Sequence, residues 1–217
     1  MEKRAVFAHV DHTLLKPTAT WEQIKVLCDE AITWGMASVC VPASCVKPIV
    51  ETYKDKVTVC TVIGFPLGYD ATAAKVYQAQ EAIANGATEV DMVINLGWAK
   101  EGAFDRVTEE IKKVKAEVGS KVLKVIVETC YLTEEEKIAL CRCVTDAGAD
   151  FIKTSTGFGT AGATLADVQL FKQHVGPDVR VKAAGGIRTA EDMEAYLAAG
   201  CDRIGASAAI KAYEGRN

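Results

Sequence analysis

Apolar and polar positions along the chain follow two alternating periods. Short runs rich in valine, isoleucine and other apolar residues occur at Val6–Val10, Ser38–Val41, Val57–Ile63, Glu89–Val93, Leu123–Val127, Phe151–Lys153, Val179–Lys182 and Arg203–Gly205. Their length and β-branched content predict strands. Between them lie segments of helical spacing, among them Thr20–Trp34, Asp70–Asn85, Phe104–Val118, Thr133–Ala147, Thr164–Val175 and Thr189–Ala199. Several open on helix-start signals: Thr133 precedes Glu134-Glu-Glu136 as a capping box, and Thr189 precedes Glu191 and Asp192. Eight alternations without a linker or a break in composition predict a (β/α)8 TIM barrel forming a single domain over residues 1–217, rather than an open sheet.

A weak internal repeat points the same way. Predicted helices end in glycine, then a small or apolar residue, then a strand: Gly35-Met, Gly86-Ala, Gly148-Ala and Gly200-Cys. Glycine there suits a left-handed helix C-cap. Five residues beyond each glycine stand Cys40, Asp91, Lys153 and Gly205. With period-2 side chains, these four are expected in one layer near the C-terminal ends of strands two, four, six and eight, the floor of a barrel's active site.

Composition narrows the partners. The 217 residues carry a net charge of −4 and no basic run, which argues against nucleic acid. The longest uncharged stretch, Ala31 to Val46, is too short and too polar to span a bilayer, and the amino terminus reads straight into the first strand-like run without an apolar leader. Most of the eight cysteines lie within apolar runs, where they behave as small hydrophobes, so a reduced, cytoplasmic protein is expected. No Cys-x-x-Cys occurs and the three histidines lack ligand spacing, so no metal is expected.

The chemistry-bearing residues sit where strands end. Phe151-Ile152 delivers Lys153 into Thr-Ser-Thr156-Gly157, and Val179-Arg-Val leads to Lys182 before Ala-Ala-Gly185-Gly186. Either lysine alone reads as an ordinary snorkelling side chain. Together they lie one strand–helix–strand unit apart, so adjacent parallel strands bring them side by side. A cation beside a lysine favours the neutral amine that a Schiff-base nucleophile needs. Bringing a lysine from about 10.4 to about 7 requires roughly 4–5 kcal/mol, within reach of partial burial plus a neighbouring charge. Asp91, inside an apolar run, must be paired or protonated; it is expected to move protons, with Lys182 as its electrostatic partner. Asp11 is a candidate supporting group, and Lys124 and Glu128 share a strand face that extends the polar network. Cys40 has no partner base and is expected to line the pocket, while His12 is expected to have no catalytic role.

Glycine-containing turns follow strands six, seven and eight. Backbone N–H groups in such turns bind anions, so Thr156, Gly157, Gly185, Gly186 and Ser207 are candidate phosphate ligands, with Arg188 as an auxiliary cation. Gly157-Phe-Gly159-Thr-Ala-Gly162 matches a dinucleotide fingerprint. The next strand, however, ends in Lys182 where that site needs an acid, so a nicotinamide site is rejected. No cofactor is needed for imine chemistry.

These motifs resemble the deoxyribose-phosphate aldolase family over nearly the whole chain: Val10-Asp-His-Thr-Leu-Leu-Lys-Pro17, Glu89-Val-Asp-Met-Val-Ile-Asn95, Leu123-Lys-Val-Ile-Val-Glu-Thr129, Phe151-Ile-Lys-Thr-Ser-Thr-Gly157, Val181-Lys-Ala-Ala-Gly-Gly-Ile-Arg188 and Arg203-Ile-Gly-Ala-Ser207. The resemblance implies a (β/α)8 barrel that reversibly cleaves 2-deoxy-D-ribose 5-phosphate to D-glyceraldehyde 3-phosphate and acetaldehyde. It implies Lys153 as the Schiff-base lysine, Asp91 and Lys182 as the proton-transfer pair, and a homodimer or higher homo-oligomer. Some relatives carry lysine where Phe158 stands, a second serine at Ala208, and a C-terminal tail ending in tyrosine. The rival expectations are another Schiff-base aldolase or transaldolase of phosphorylated sugars, a phosphosugar isomerase, and a non-catalytic phosphosugar sensor.

Overall fold

The computed structural model describes residues 1–215; the last two residues of the expected domain, 216–217, lie outside them. Eight parallel strands close into a barrel in sequence order: β1 (Val10–Thr13), β2 (Ser38–Val41), β3 (Val59–Ile63), β4 (Glu89–Val93), β5 (Val122–Ile126), β6 (Phe151–Lys153), β7 (Arg180–Ala184) and β8 (Arg203–Ala206). The helices are α1 (Lys3–Phe7), α2 (Trp21–Trp34), α3 (Val46–Tyr53), α4 (Thr72–Ala84), α5 (Leu96–Lys100), α6 (Phe104–Val118), α7 (Glu134–Asp146), α8 (Leu165–His174), α9 (Ala190–Ala198) and α10 (Ala209–Ala212).

Local signals in the sequence account for most of these bounds. Thr20, Thr133 and Thr189 close capping boxes with Gln23, Glu136 and Asp192, each satisfying orphan N–H groups of a first helical turn. The four repeat glycines all adopt positive φ, between 65° and 98°, where a side chain would be strained. The first strand differs from expectation. Lys3–Phe7 is helical and the strand begins only at Val10, because Val6 and Phe7 are buried on a helix, with Phe7 edge-on to Trp34 and Tyr213. A short apolar run does not by itself distinguish helix from strand.

Strand alternation divides the residues into two populations. Val10, Val39, Val90, Met92, Leu123, Val125, Ile152, Val181 and Ile204 face outward and join the continuous apolar layer beneath the helices. The alternate residues turn into the barrel and are largely polar: Asp11, Ser38, Glu89, Asp91, Lys124, Lys153 and Lys182, all buried. The main hydrophobic core thus surrounds the barrel wall, and the barrel's interior is a charged cluster.

Candidate active site

Strand register builds the cluster. Lys153 and Lys182 are direct neighbours across β6 and β7, Asp91 lies beside Lys124 across β4 and β5, and Asp11 lies beside Ser38 across β1 and β2. Asp91 is the hub. Its Oδ2 accepts from Lys153 Nζ and Lys182 Nζ, each at 2.8 Å, and its Oδ1 accepts from Lys124 Nζ at 2.8 Å and from the Cys60 thiol at 3.1 Å. Asp11 accepts from Lys182, from Ser38 Oγ at 2.7 Å and from the Arg203 guanidinium. Glu89 pairs with Lys124 at 2.5 Å and with Arg203 at 3.2 Å. Four cations therefore meet three carboxylates, leaving one surplus positive charge when all are ionised.

Electrostatics follow this arrangement. Burial alone would raise the Asp91 carboxyl, but the ammonium groups of Lys124, Lys153 and Lys182 hold it well below its ordinary value of 3.8. Asp11 is likewise held low against burial, by Lys182, Lys124 and Arg203. Burial would lower Lys182 and Lys124; their carboxylates overcome it and raise both above 10.5.

A cavity of about 270 Å³ opens above the cluster at the C-terminal ends of the strands. Lys153 is the one cation of the cluster that lines it; Lys124, Lys182 and Arg203 do not. Thr156, Gly157, Gly185, Gly186 and Ser207 also line it, with Lys16 and Arg188 supplying positive charge. The expected layer is thus assembled: Lys153 bonds Asp91, Cys40 lies close to Asp91, and a Cβ placed on Gly205 would come within 3.3 Å of Lys182 Cε.

Two placements, Cys40 and Glu128, depart from expectation. Cys40 is fully buried and does not line the cavity; it sits below the floor against Cys60, whose hydrogen bond lowers the Cys40 thiol from 9.0. The Cys40, Cys60 and Asp91 donor atoms lie within 4.8 Å of one another. The ammonium groups on Asp91 make that spot electropositive, a poor fit to a metal cation. Glu128 leaves the barrel interior at φ 56° and instead accepts from the Thr156 N–H at 3.1 Å and from its hydroxyl. The Thr156 hydroxyl is therefore committed to shaping its loop, where it also accepts from Phe158 N at 3.0 Å. His12 faces outward to Glu30, 2.6 Å away.

The fingerprint-like glycines serve packing. Residues 157–163 form a loop with no helix until Leu165, and a Cβ on Gly162 would lie 2.1 Å from the Gly185 carbonyl oxygen. Gly162 lets this loop press against the β7–α9 turn. Phe158, half exposed at the rim, stacks edge-on against Phe65 with ring centroids 5.4 Å apart.

Sequence reasoning missed Arg203, Glu89, Cys60 and Lys16. Arg203 and Glu89 were detectable, because each lies two residues before a predicted layer residue, Gly205 and Asp91, and so shares its inward face. Lys16 carries no comparable signal, since it lies in the loop after β1.

Comparison with known proteins adds a second line. A family model described as DeoC/LacD family aldolase matches residues 5–217. A protein named deoxyribose-phosphate aldolase from Clostridium botulinum (strain Alaska E43 / Type E3) is 57% identical over 215 residues, covering 99% of this chain and 97% of its own. One of the same name from Clostridioides difficile (strain 630) is 56% identical over 202 residues, 93% of this chain and 92% of its own. Among solved structures, the aldolase QR15 matches with a TM-score of 0.91 at 44% identity, over 96% of this chain and 94% of its own. A deoxyribose phosphate aldolase from Aeropyrum pernix, described as a unique tetramer, matches with a TM-score of 0.88 at 34% identity, over 98% and 91%.

Proposed function

This chain belongs to the DeoC/LacD aldolase family and is a lyase, and we propose that it cleaves 2-deoxy-D-ribose 5-phosphate reversibly to D-glyceraldehyde 3-phosphate and acetaldehyde through an imine on Lys153. The observation that carries the residue assignment is that Lys153 alone joins the buried charged cluster to the cavity. The amine attacks the substrate aldehyde, and the carbinolamine loses water to give an iminium. Asp91 Oδ2, 2.8 Å from the lysine nitrogen, places a carboxylate against the new cation and stabilises it. Deprotonation of the 3-hydroxyl lets the C2–C3 bond break, its electrons passing into the iminium to form an enamine. Protonation of the enamine and hydrolysis release acetaldehyde and regenerate the amine.

Lys182 and Asp91 hold the protons for these steps. Lys182 shares Asp91 Oδ2 with Lys153, so a proton moves between the lysines through one carboxylate oxygen, reaching the substrate by way of water. Gly157, Gly185, Gly186 and Ser207 form the phosphate end of the cavity, and Lys16 and Arg188 add charge to it. We read the protein as cytoplasmic, since its eight cysteines are free. No helix among the described residues is long and apolar enough to cross a membrane. We also read it as a homo-oligomer, which light scattering at micromolar concentration would report as a multiple of 23.2 kDa.

Borohydride reduction in the presence of acetaldehyde, followed by peptide mass mapping, tests the assignment. The expected product is one ethyl group on the Lys153 peptide, absent from Lys153→Ala. A label on Lys182 would exchange the two roles. No label despite phosphosugar binding would favour an isomerase or a sensor.

A further inference from the structure

The steps above leave Arg203 without a task. It enters β8 at the end remote from the cavity, does not line it, and its side chain is 13% exposed. Its guanidinium donates to Asp11 and to both oxygens of Glu89, and lies over the Phe151 ring, 5.5 Å from the centroid. Each of these carboxylates is shared with a lysine: Asp11 with Lys182, Glu89 with Lys124. Both lysines then meet Asp91, where Lys153 completes the chain.

A guanidinium stays charged across the pH range in which proteins are stable. Arg203 therefore permanently neutralises one of the three carboxylates, leaving two carboxylates for three lysines. Without it, three protonated lysines would balance three carboxylates and the cluster would have no reason to release a proton. A buried net charge is costly, and the ammonium that can release its proton to the cavity is Lys153.

We propose that Arg203 is a positioning residue which, acting through Asp11–Lys182 and Glu89–Lys124, sets the pH above which Lys153 forms its imine. This rests on Lys153 being the imine-forming amine. The charged groups around Lys153 come from five strands and the neighbouring thiols from two more. Asp91 and Glu89 stand on β4, Lys124 on β5, and Lys182 on β7. Asp11 comes from β1 and Arg203 from β8. Cys40 on β2 and Cys60 on β3 are the neighbouring thiols, and Cys40, the more acidic, is the competing source of a released proton. Lys16 and Arg188 face the same cavity from the rim, and Glu128 is engaged by Thr156.

The test is the pH dependence of cyanoborohydride trapping of acetaldehyde on the full chain. It compares wild type, Arg203→Met, Arg203→Lys, Glu89→Gln and the double variant Arg203→Met/Glu89→Gln, all in a Cys40→Ser background. Arg203→Met should move the acid limb up by about one pH unit, because a lost cation makes the surplus proton harder to shed. Glu89→Gln should move it down, the double variant should return it to the wild-type position, and Arg203→Lys should leave it there. An unmoved limb in Arg203→Met, or a double variant displaced further than the single one, overturns the proposal. If Arg203→Met does not fold, Arg203→Gln, which removes the charge and keeps hydrogen-bond donors, decides: an upward shift supports the proposal and an unmoved limb overturns it. Absence of label from the parent chain would overturn the Lys153 assignment itself, a result distinct from an unmoved limb.

Discussion

Asp91 receives two lysines on one carboxylate oxygen and a third on the other. Replacing it with asparagine removes the charge while keeping the shape, and leaves Lys124, Lys153 and Lys182 to repel one another. Loss of one member of a buried ion cluster costs about 3–5 kcal/mol, and loss of the proton carrier we propose Asp91 to be costs about 10²–10⁴-fold in kcat. Asp91→Asn should therefore fall on both counts, read by urea unfolding and by single-turnover cleavage. Full activity in Asp91→Asn would remove Asp91 from the proton path. A separate ion pair lies outside the barrel wall. Lys75 and Glu110 are both buried, 2.8 Å apart, and Lys75 also donates to the Val93 carbonyl at the end of β4. Lys75→Met should cost about 3–5 kcal/mol, and Lys75→Met/Glu110→Leu should recover most of it, since an apolar pair of similar volume avoids the stranded charge.

At the scale of elements, the site depends on how closely two loops approach. The Gly162 and Gly185 backbones touch, and a methyl group at Gly162 would lie 2.1 Å from a carbonyl oxygen. Gly162→Ala should separate the loop after β6 from the turn after β7. The end of the cavity proposed to hold phosphate would widen, while Lys153 and Asp91 stay on their strands. The expected signature is a KM for the phosphorylated sugar raised about tenfold or more, ~1.4 kcal/mol, with cleavage of unphosphorylated 2-deoxyribose little changed. An equal loss on both substrates would show that the loop supports the chemistry as well. The sequence makes the six long helices legible through their spacing, four of them also through a threonine cap. It does not reveal α3, only eight residues long, nor the short α1, α5 and α10. Helices of four or five residues span about one turn, too short for a periodic pattern.

For the whole molecule, the charged interior governs stability against pH. Asp11 and Asp91 have folded values depressed below 3.8, so their contribution is complete above that value and is lost as pH falls towards the folded values. Lys124 and Lys182 are raised above 10.5, so theirs is complete below that value and is lost as pH rises towards the folded values. The contribution of these four groups to the thermal midpoint should be flat between about pH 5 and pH 9 and fall on either side, so any slope inside that window belongs to the proton that Lys153 releases. A scanning-fluorimetry series checks this, and an optimum confined to one side would contradict it.

The barrel and the layer of Asp91 and Lys153 were legible in the sequence, because both depend on periodicity and strand parity, which are local. The sequence also placed the glycine turns, since positive φ has few other tenants. Which charge meets which is set when the barrel closes. That Asp91 serves three lysines, that Arg203 reaches Asp11 across 192 residues, and that Glu128 turns away to Thr156 all depend on barrel closure and stagger. Cys40 shows the difference in one residue. Parity placed it in the right layer, but whether it faces the cavity or the floor beneath is set by side chains arriving from other strands, and no local pattern in the chain encodes their arrival.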